Sequence, residues 1–215
     1  MKIKGEVHMK KKSLDIIAII FEVILFIIIF VLIFTLLMLY RNHTIIKRIQ
    51  SEMGYYITNA NDDFHIRIDY KTSSAFEENS EVQNSSKDIY RKGFIVKAIS
   101  QNDDNTYIQY QDTNTNESYL FNMQDNTKIG YGKSIIEEFL QFIDWYYGNM
   151  PNVEIKVTDD YYILKYPSSN WYFNRENFRI EKKEIFSDTK IWSETTYTYF
   201  DDEEITDKMV AIPEI

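Results

Sequence analysis

The chain has 215 residues, a net charge of −9 and no cysteine. That length fits one domain plus a membrane segment. The missing cysteines exclude disulfides, thiolate metal sites, a cysteine nucleophile and a lipidated cysteine. The acidic balance offers nucleic acid no electrostatic footprint. Tyr and Phe number 17 and 14 against only six Gly and three Pro, a composition that favours pleated, half-buried strands.

The charge is divided along the chain. Residues 1–40 carry five lysines against Glu6, Asp15 and Glu22, whereas residues 41–215 carry 19 Lys or Arg against 30 Asp or Glu. Residues 1–15 read as a basic cytoplasmic tail. From Ile16 to Tyr40 the chain is apolar except for Glu22 and Thr35. As a helix those residues extend about 37 Å, enough to cross a hydrocarbon layer of roughly 30 Å. The run is longer than the apolar core of a cleavable signal and ends Leu-Leu-Met-Leu-Tyr, with no small-x-small site. It therefore reads as an uncleaved signal anchor. Lys10, Lys11 and Lys12 on the near side put the N-terminus in the cytoplasm and residues 41–215 outside it. Asp15 and Glu22, seven residues apart, share a helix face and reach water at the boundary or serve as a polar handle for a partner helix.

Beyond the anchor, Ile45, Ile46, Ile49 and Met53 mark one helical face, with Gly54 as its stop. Phe64, Ile66, Ile68 and Tyr70 alternate with His65, Arg67, Asp69 and Lys71, the pattern of a half-buried strand. Residues 72–87 are polar and read as a loop. Strands are expected near 88–99, 105–111 and 117–123, joined by short Asn/Asp-rich turns, so neighbours pair antiparallel. Gly130 and Gly132 interrupt the sheet. Ser134 and Glu137 form a capping box ahead of a helix over 134–147, whose apolar stripe includes Ile135, Phe139 and Ile143. Further strands are expected near 153–158, 160–166, 170–173, 177–186 and 190–200, ahead of a polar acidic tail. The fold class is α+β: a transmembrane helix, then an antiparallel sheet with two helices available to cover it.

The residues nominate no catalytic, cofactor-binding or metal-ligating site. His8 lies in the basic tail, His43 lies beside the apolar segment, and His65 falls on the polar side of a strand, where it reads as solvated. Asp112, Asn114 and Asn116 imitate the start of a calcium loop, but Glu117 and Met123 stand where a glycine and a glutamate are needed, so a hairpin turn is the better reading. The acidic pairs Asp62-Asp63, Asp103-Asp104, Asp159-Asp160 and the run Asp201-Asp202-Glu203-Glu204 fall in turns or the tail. No Gly-rich phosphate loop, Gly-x-Ser-x-Gly or His-Glu-x-x-His occurs. The reading is non-enzymatic, with no cofactor. Trp145, Trp171, Trp192, Tyr161, Tyr162, Tyr166, Tyr172, Phe173, Phe178, Tyr197 and Tyr199 crowd the C-terminal half. They supply a core, with some on a second, partly apolar face that suits a hydrophobic groove or a protein partner.

The order of these parts, from Met-Gly-Tyr-Tyr-Ile-Thr and Phe-His-Ile-Arg-Ile-Asp-Tyr through Trp-Tyr-Phe-Asn-Arg-Glu to Thr-Tyr-Thr-Tyr-Phe-Asp-Asp-Glu-Glu and Ile212-Pro213, resembles membrane-anchored proteins of low-GC Gram-positive bacteria with a LolA-like (lipoprotein-carrier-like) ectodomain. The resemblance covers residues 40–213. It implies a curved antiparallel half-barrel wrapped around helices, holding acyl chains in some relatives and sensing or scaffolding in others. The expected role is a binding, sensing or scaffolding domain of the cell envelope, with an envelope protein or a lipid as partner. The alternative is a structural subunit of a secretion or conjugation-type complex.

Overall fold

The computed structural model describes residues 3–58, 62–73, 82–102, 105–115, 117–130, 135, 153–187 and 190–213. It divides into two compact units, Met1–Lys47 and Arg48–Ile215. Helix α1 runs from Ile3 to Thr58. From residue 19 to residue 37 its apolar side chains lie bare, Phe26 at 71% exposure among them, and from Ile19 onward it is long and apolar enough to cross a membrane. The expected stop at Gly54 is corrected, since the helix continues to Thr58. An internal glycine costs about 1 kcal/mol against alanine, and the burial of Ile49 and Met53 just ahead of it in the same helix offsets that cost.

Among the described residues, the strands of the second unit form one open antiparallel sheet of eleven, ordered β6-β5-β4-β3-β2-β1-β11-β10-β9-β8-β7. β1 (Phe64–Thr72), β2 (Gln83–Lys92), β3 (Ile95–Asn102), β4 (Asn105–Asp112), β5 (Glu117–Asn122) and β6 (Thr127–Gly130) meander from the centre to one edge. The chain restarts at the opposite edge with β7 (Glu154–Val157). It returns through β8 (Tyr161–Tyr166), β9 (Ser169–Asn174), β10 (Ile180–Ser187) and β11 (Lys190–Tyr199). β11 then closes on β1, with Ile66 opposite Tyr199 and Tyr70 opposite Thr195. A short helix α2, Asp207–Val210, follows and packs on β2 and β3.

Three expectations change. The loop read over 72–87 is strand at both ends: Thr72 pairs with Gln83, and the ladder holds through Ile68 and Lys87. The sequence Gln-Asn-Ser-Ser-Lys has poor strand propensity, and pairing with neighbours on both sides overrides it. The strand read over 88–99 is instead a hairpin that turns at Gly93-Phe94. Gly93 sits at φ +54, a left-handed geometry that glycine takes at no steric cost. Finally, Thr127–Gly130 adds an edge strand before the expected interruption, after a turn in which Asn126 takes φ 49. The helix expected over 134–147 lies outside the described residues except Ile135. That residue is buried, and its N–H donates to Gln111 Oε1 at 3.1 Å.

Candidate functional site

Because strand side chains alternate, the register sorts every strand residue onto one of two faces. The inner face carries Ile66, Ile68, Ile89, Val96, Ala98, Leu164, Trp171, Phe173 and Ile180, all buried. Arg91, at 1% exposure, joins this face opposite Phe64 and Val96. Its Nε donates to the Gly93 carbonyl, and burial pulls its pKa down against the nearby Asp62 and Asp63. Further along the face, Tyr70, Ser85, Ser100, Tyr107, Lys183, Ile185 and Tyr197 are only half-buried. The inner face is therefore apolar at one end and rich in hydroxyls at the other.

The outer face holds the charge. Lys182 Nζ lies 2.8 Å from both Glu184 Oε1 and Glu194 Oε2, and the Tyr172 hydroxyl donates to Glu184 Oε2 at 2.6 Å. Burial by itself disfavours both charges. The hydrogen bonds outweigh it, holding Lys182 above the usual lysine range and Glu184 below the usual carboxylate range. A lowered carboxyl contributes stability that is in place above its unfolded value of about 4.3 and is lost as pH falls through the folded value. A raised lysine contributes stability that is in place below about 10.4 and is lost as pH climbs through its folded value. Between pH 7 and 3.5 the denaturant midpoint of the native chain is thus expected to fall further than that of Glu184→Gln. Equal losses would show that this network does not couple to folding.

At the centre of the outer face the structure corrects the solvated reading of His65, which is 7% exposed. Its ring stacks between Tyr90 at 4.2 Å and Phe200 at 4.3 Å. Nε2–H donates to Asp88 Oδ1 at 2.9 Å, and Nδ1 makes a short contact with Glu203 Oε2. The acidic tail covers this ring, and so it too differs from expectation. Asp201 accepts both bonds of a fork from Arg179 Nη1 at 2.7 and 2.6 Å, while Arg179 Nε reaches Glu52 Oε1 at 3.2 Å. Lys92 pairs with Asp207 at 2.8 Å. The buried Lys97 donates to the Ala211 carbonyl at 2.9 Å, its pKa lowered by burial. Ile205 and Val210 are buried. Residues 201–211 thus form a strap over β1, β2 and β3.

Arg179 is positioned by a tight turn in which Phe178 adopts φ 60. Such a conformation in a bulky residue persists only where its surroundings hold it. Here Tyr162 stacks on the Phe178 ring at 5.4 Å and the Arg48 guanidinium lies 5.4 Å from its centroid. An open pocket of about 450 Å³ beside this turn is lined by Tyr161, Arg179, Glu181, Lys182, Tyr199 and Asp201 among others. Its charged groups are already engaged: Arg179 and Lys182 as described, and Glu181 by Asn174 Nδ2 at 2.8 Å.

Asp112 behaves as the turn reading expects, accepting from the N–H groups of Asn114 at 2.8 Å and Thr115 at 3.3 Å. Among the described residues, no three His, Asp or Glu are grouped to hold a metal. Trp145 and the pair Asp103-Asp104 lie outside the described residues. Of the other aromatics, Trp171, Phe173 and Tyr166 are core, whereas Trp192 is 40% exposed.

No protein-family model matches the chain, and no curated protein does. Solved structures show distant likeness. A DUF1329 family protein from Desulfovibrio piger aligns at 8% identity and a TM-score of 0.38, covering 78% of this chain and 97% of that one. A domain assigned as an outer membrane lipoprotein-sorting protein, from Vibrio parahaemolyticus, aligns at 10% identity and 0.34, covering 73% and 94%. A LolA superfamily protein from Nitrosomonas europaea aligns at 12% identity and 0.30, covering 77% and 97%. At such scores none of these likenesses bears on ligand or activity.

Proposed function

We propose that the chain is a single-pass membrane protein whose sheet unit is a non-catalytic binding domain, displayed outside the cytoplasm in a bacterial cell envelope. The observation that carries this reading is the unequal pair of faces. The outer face carries the 201–211 strap over β1, β2 and β3 and a set of ion pairs, whereas one end of the inner face is half-buried and holds no carboxylate at its described strand positions. His65 serves the strap instead of offering a base, because each ring nitrogen faces a carboxylate. A sheet of eleven strands curls as it twists, which would make the inner face the concave one and give the half-barrel shape.

For the anchor, the full chain is expected to stay in the membrane fraction after alkaline carbonate washing, at its intact mass. Recovery of a form beginning near residues 36–41 would remove the anchor from the account. The subunit alternative has in its favour the short tail, the single anchor and the small α+β domain, with Asp15 and Glu22 as helix handles.

A further inference from the structure

Among the described residues, not one strand position on the inner face carries Asp or Glu, although the chain holds 33 of them. The described strand carboxylates Asp69, Asp88, Asp112, Glu117, Glu154, Glu184 and Glu194 all fall on the outer face, and Glu181 turns there to meet Asn174. The inner face nevertheless carries three cations, Lys87, Arg91 and Lys183. Random placement would scatter the acids over both faces, so the described strand positions of this face are kept free of carboxylates.

Lys183 is the informative member. It sits in a row with Tyr70, Thr195 and Trp171, each opposite the next across β1, β11, β10 and β9. Its Nζ lies 4.3 Å from the Trp171 ring centroid, and no carboxylate among the described residues pairs with it. Its sequence neighbour Lys182, on the other face, holds two carboxylates at 2.8 Å. Burial pushes the Lys183 pKa down, which is the cost of a desolvated cation lacking a counterion. Hydroxyls on the same half-buried end can donate to an anion. A chain of net charge −9 repels small free anions at long range, so a favourable ligand needs apolar surface as well as charge. Half-buried Ile185, Tyr70 and Tyr197 supply that apolar surface.

We propose that this end of the inner face binds an anionic amphiphile, with its carboxylate or phosphate head at Lys183 and its hydrocarbon against Ile185, Tyr70 and Tyr197. This rests on the binding-domain reading above and adds the ligand's charge. The head replaces the missing counterion, and a second cation beside Lys183 would be repelled, which disfavours cationic amphiphiles.

The test uses the full chain in nanodiscs of phosphatidylcholine with three diazirine-bearing probes of one chain length: palmitic acid, palmityl phosphate and palmityl alcohol. The labelled peptides are read by mass spectrometry. The acid or the phosphate is expected to label strands β10 and β11 about tenfold more than the alcohol, and whichever labels more identifies the head. Lys183→Gln should bring that labelling down to the alcohol level. Lys183→Arg should keep it, and Lys165→Gln on the outer face should leave it unchanged. Equal labelling by acid, phosphate and alcohol, or full labelling in Lys183→Gln, overturns the anionic ligand while leaving a binding face. No labelling of the sheet by any probe overturns the binding-face reading together with this one.

Discussion

Replacing Phe173 by alanine is expected to cost about 3–5 kcal/mol of folding stability, the range for emptying a buried aromatic site. Phe173 is fully buried, at 0% exposure. It lies opposite both Ile180 on β10 and Tyr162 on β8, so the cavity would open at the join of three strands. That join cannot collapse easily. A register shift between Ile180 and Lys182 already departs from the regular ladder there, and the Tyr199 hydroxyl donates to the Ile180 carbonyl at 2.9 Å. The measurement is the urea midpoint of the full chain at fixed detergent, followed through intrinsic fluorescence. A midpoint within experimental scatter of the native one would show that β8, β9 and β10 do not share this core.

The second large effect belongs to His65. Alanine there removes two stacked rings' common partner and takes from Asp88 and Glu203 the imidazole they share, leaving Asp88 only the longer contact with Arg67 at 3.9 Å. Hydrogen bonds to charged groups are worth about 1.5–3 kcal/mol each. Glu203 is one-third exposed, which discounts its share by screening, so the expected loss is about 2–3 kcal/mol. The loss should be local first. Amide hydrogen exchange of residues 203–211 is expected to accelerate strongly in His65→Ala, while that of β8 and β9 changes little. Unchanged exchange in the strap would mean that Lys92, Lys97 and Arg179 hold it without the histidine.

The sequence discloses some of this architecture and hides the rest for identifiable reasons. Alternation marks β1 plainly, because Ile66 and Ile68 are core and Arg67 is exposed. The short Asn/Asp-rich turns, such as the one at Asp112, divide the remaining strands well enough that β4, β5 and β7 to β11 fall within a few residues of expectation. β2 escapes because its first half is Gln-Asn-Ser-Ser, and only the neighbouring strands make it a strand. The burial of His65 escapes for a different reason. Its covering partners, Phe200 and Glu203, lie more than 130 residues away in the chain, and nothing local says that β11 closes on β1. With that pairing known, Phe200 falls beside His65 at once, since Ile66 is opposite Tyr199. The carboxylate-free inner face is similarly invisible until all ten pairings are in register, because along the chain acids and lysines simply alternate with apolar residues.

The central claim is that one apolar helix holds an acidic sheet domain on the far side of a membrane. Because the chain has no cysteine, single introduced thiols report on sidedness without background. Asp125→Cys lies in an exposed turn between β5 and β6, and Lys4→Cys lies in the basic tail. On intact cells a membrane-impermeant maleimide is expected to label the thiol at position 125 and to leave the one at position 4 unlabelled until the cells are opened. Labelling at position 4 with protection at position 125 would invert the topology, and protection of both until lysis would place the whole chain inside the cell.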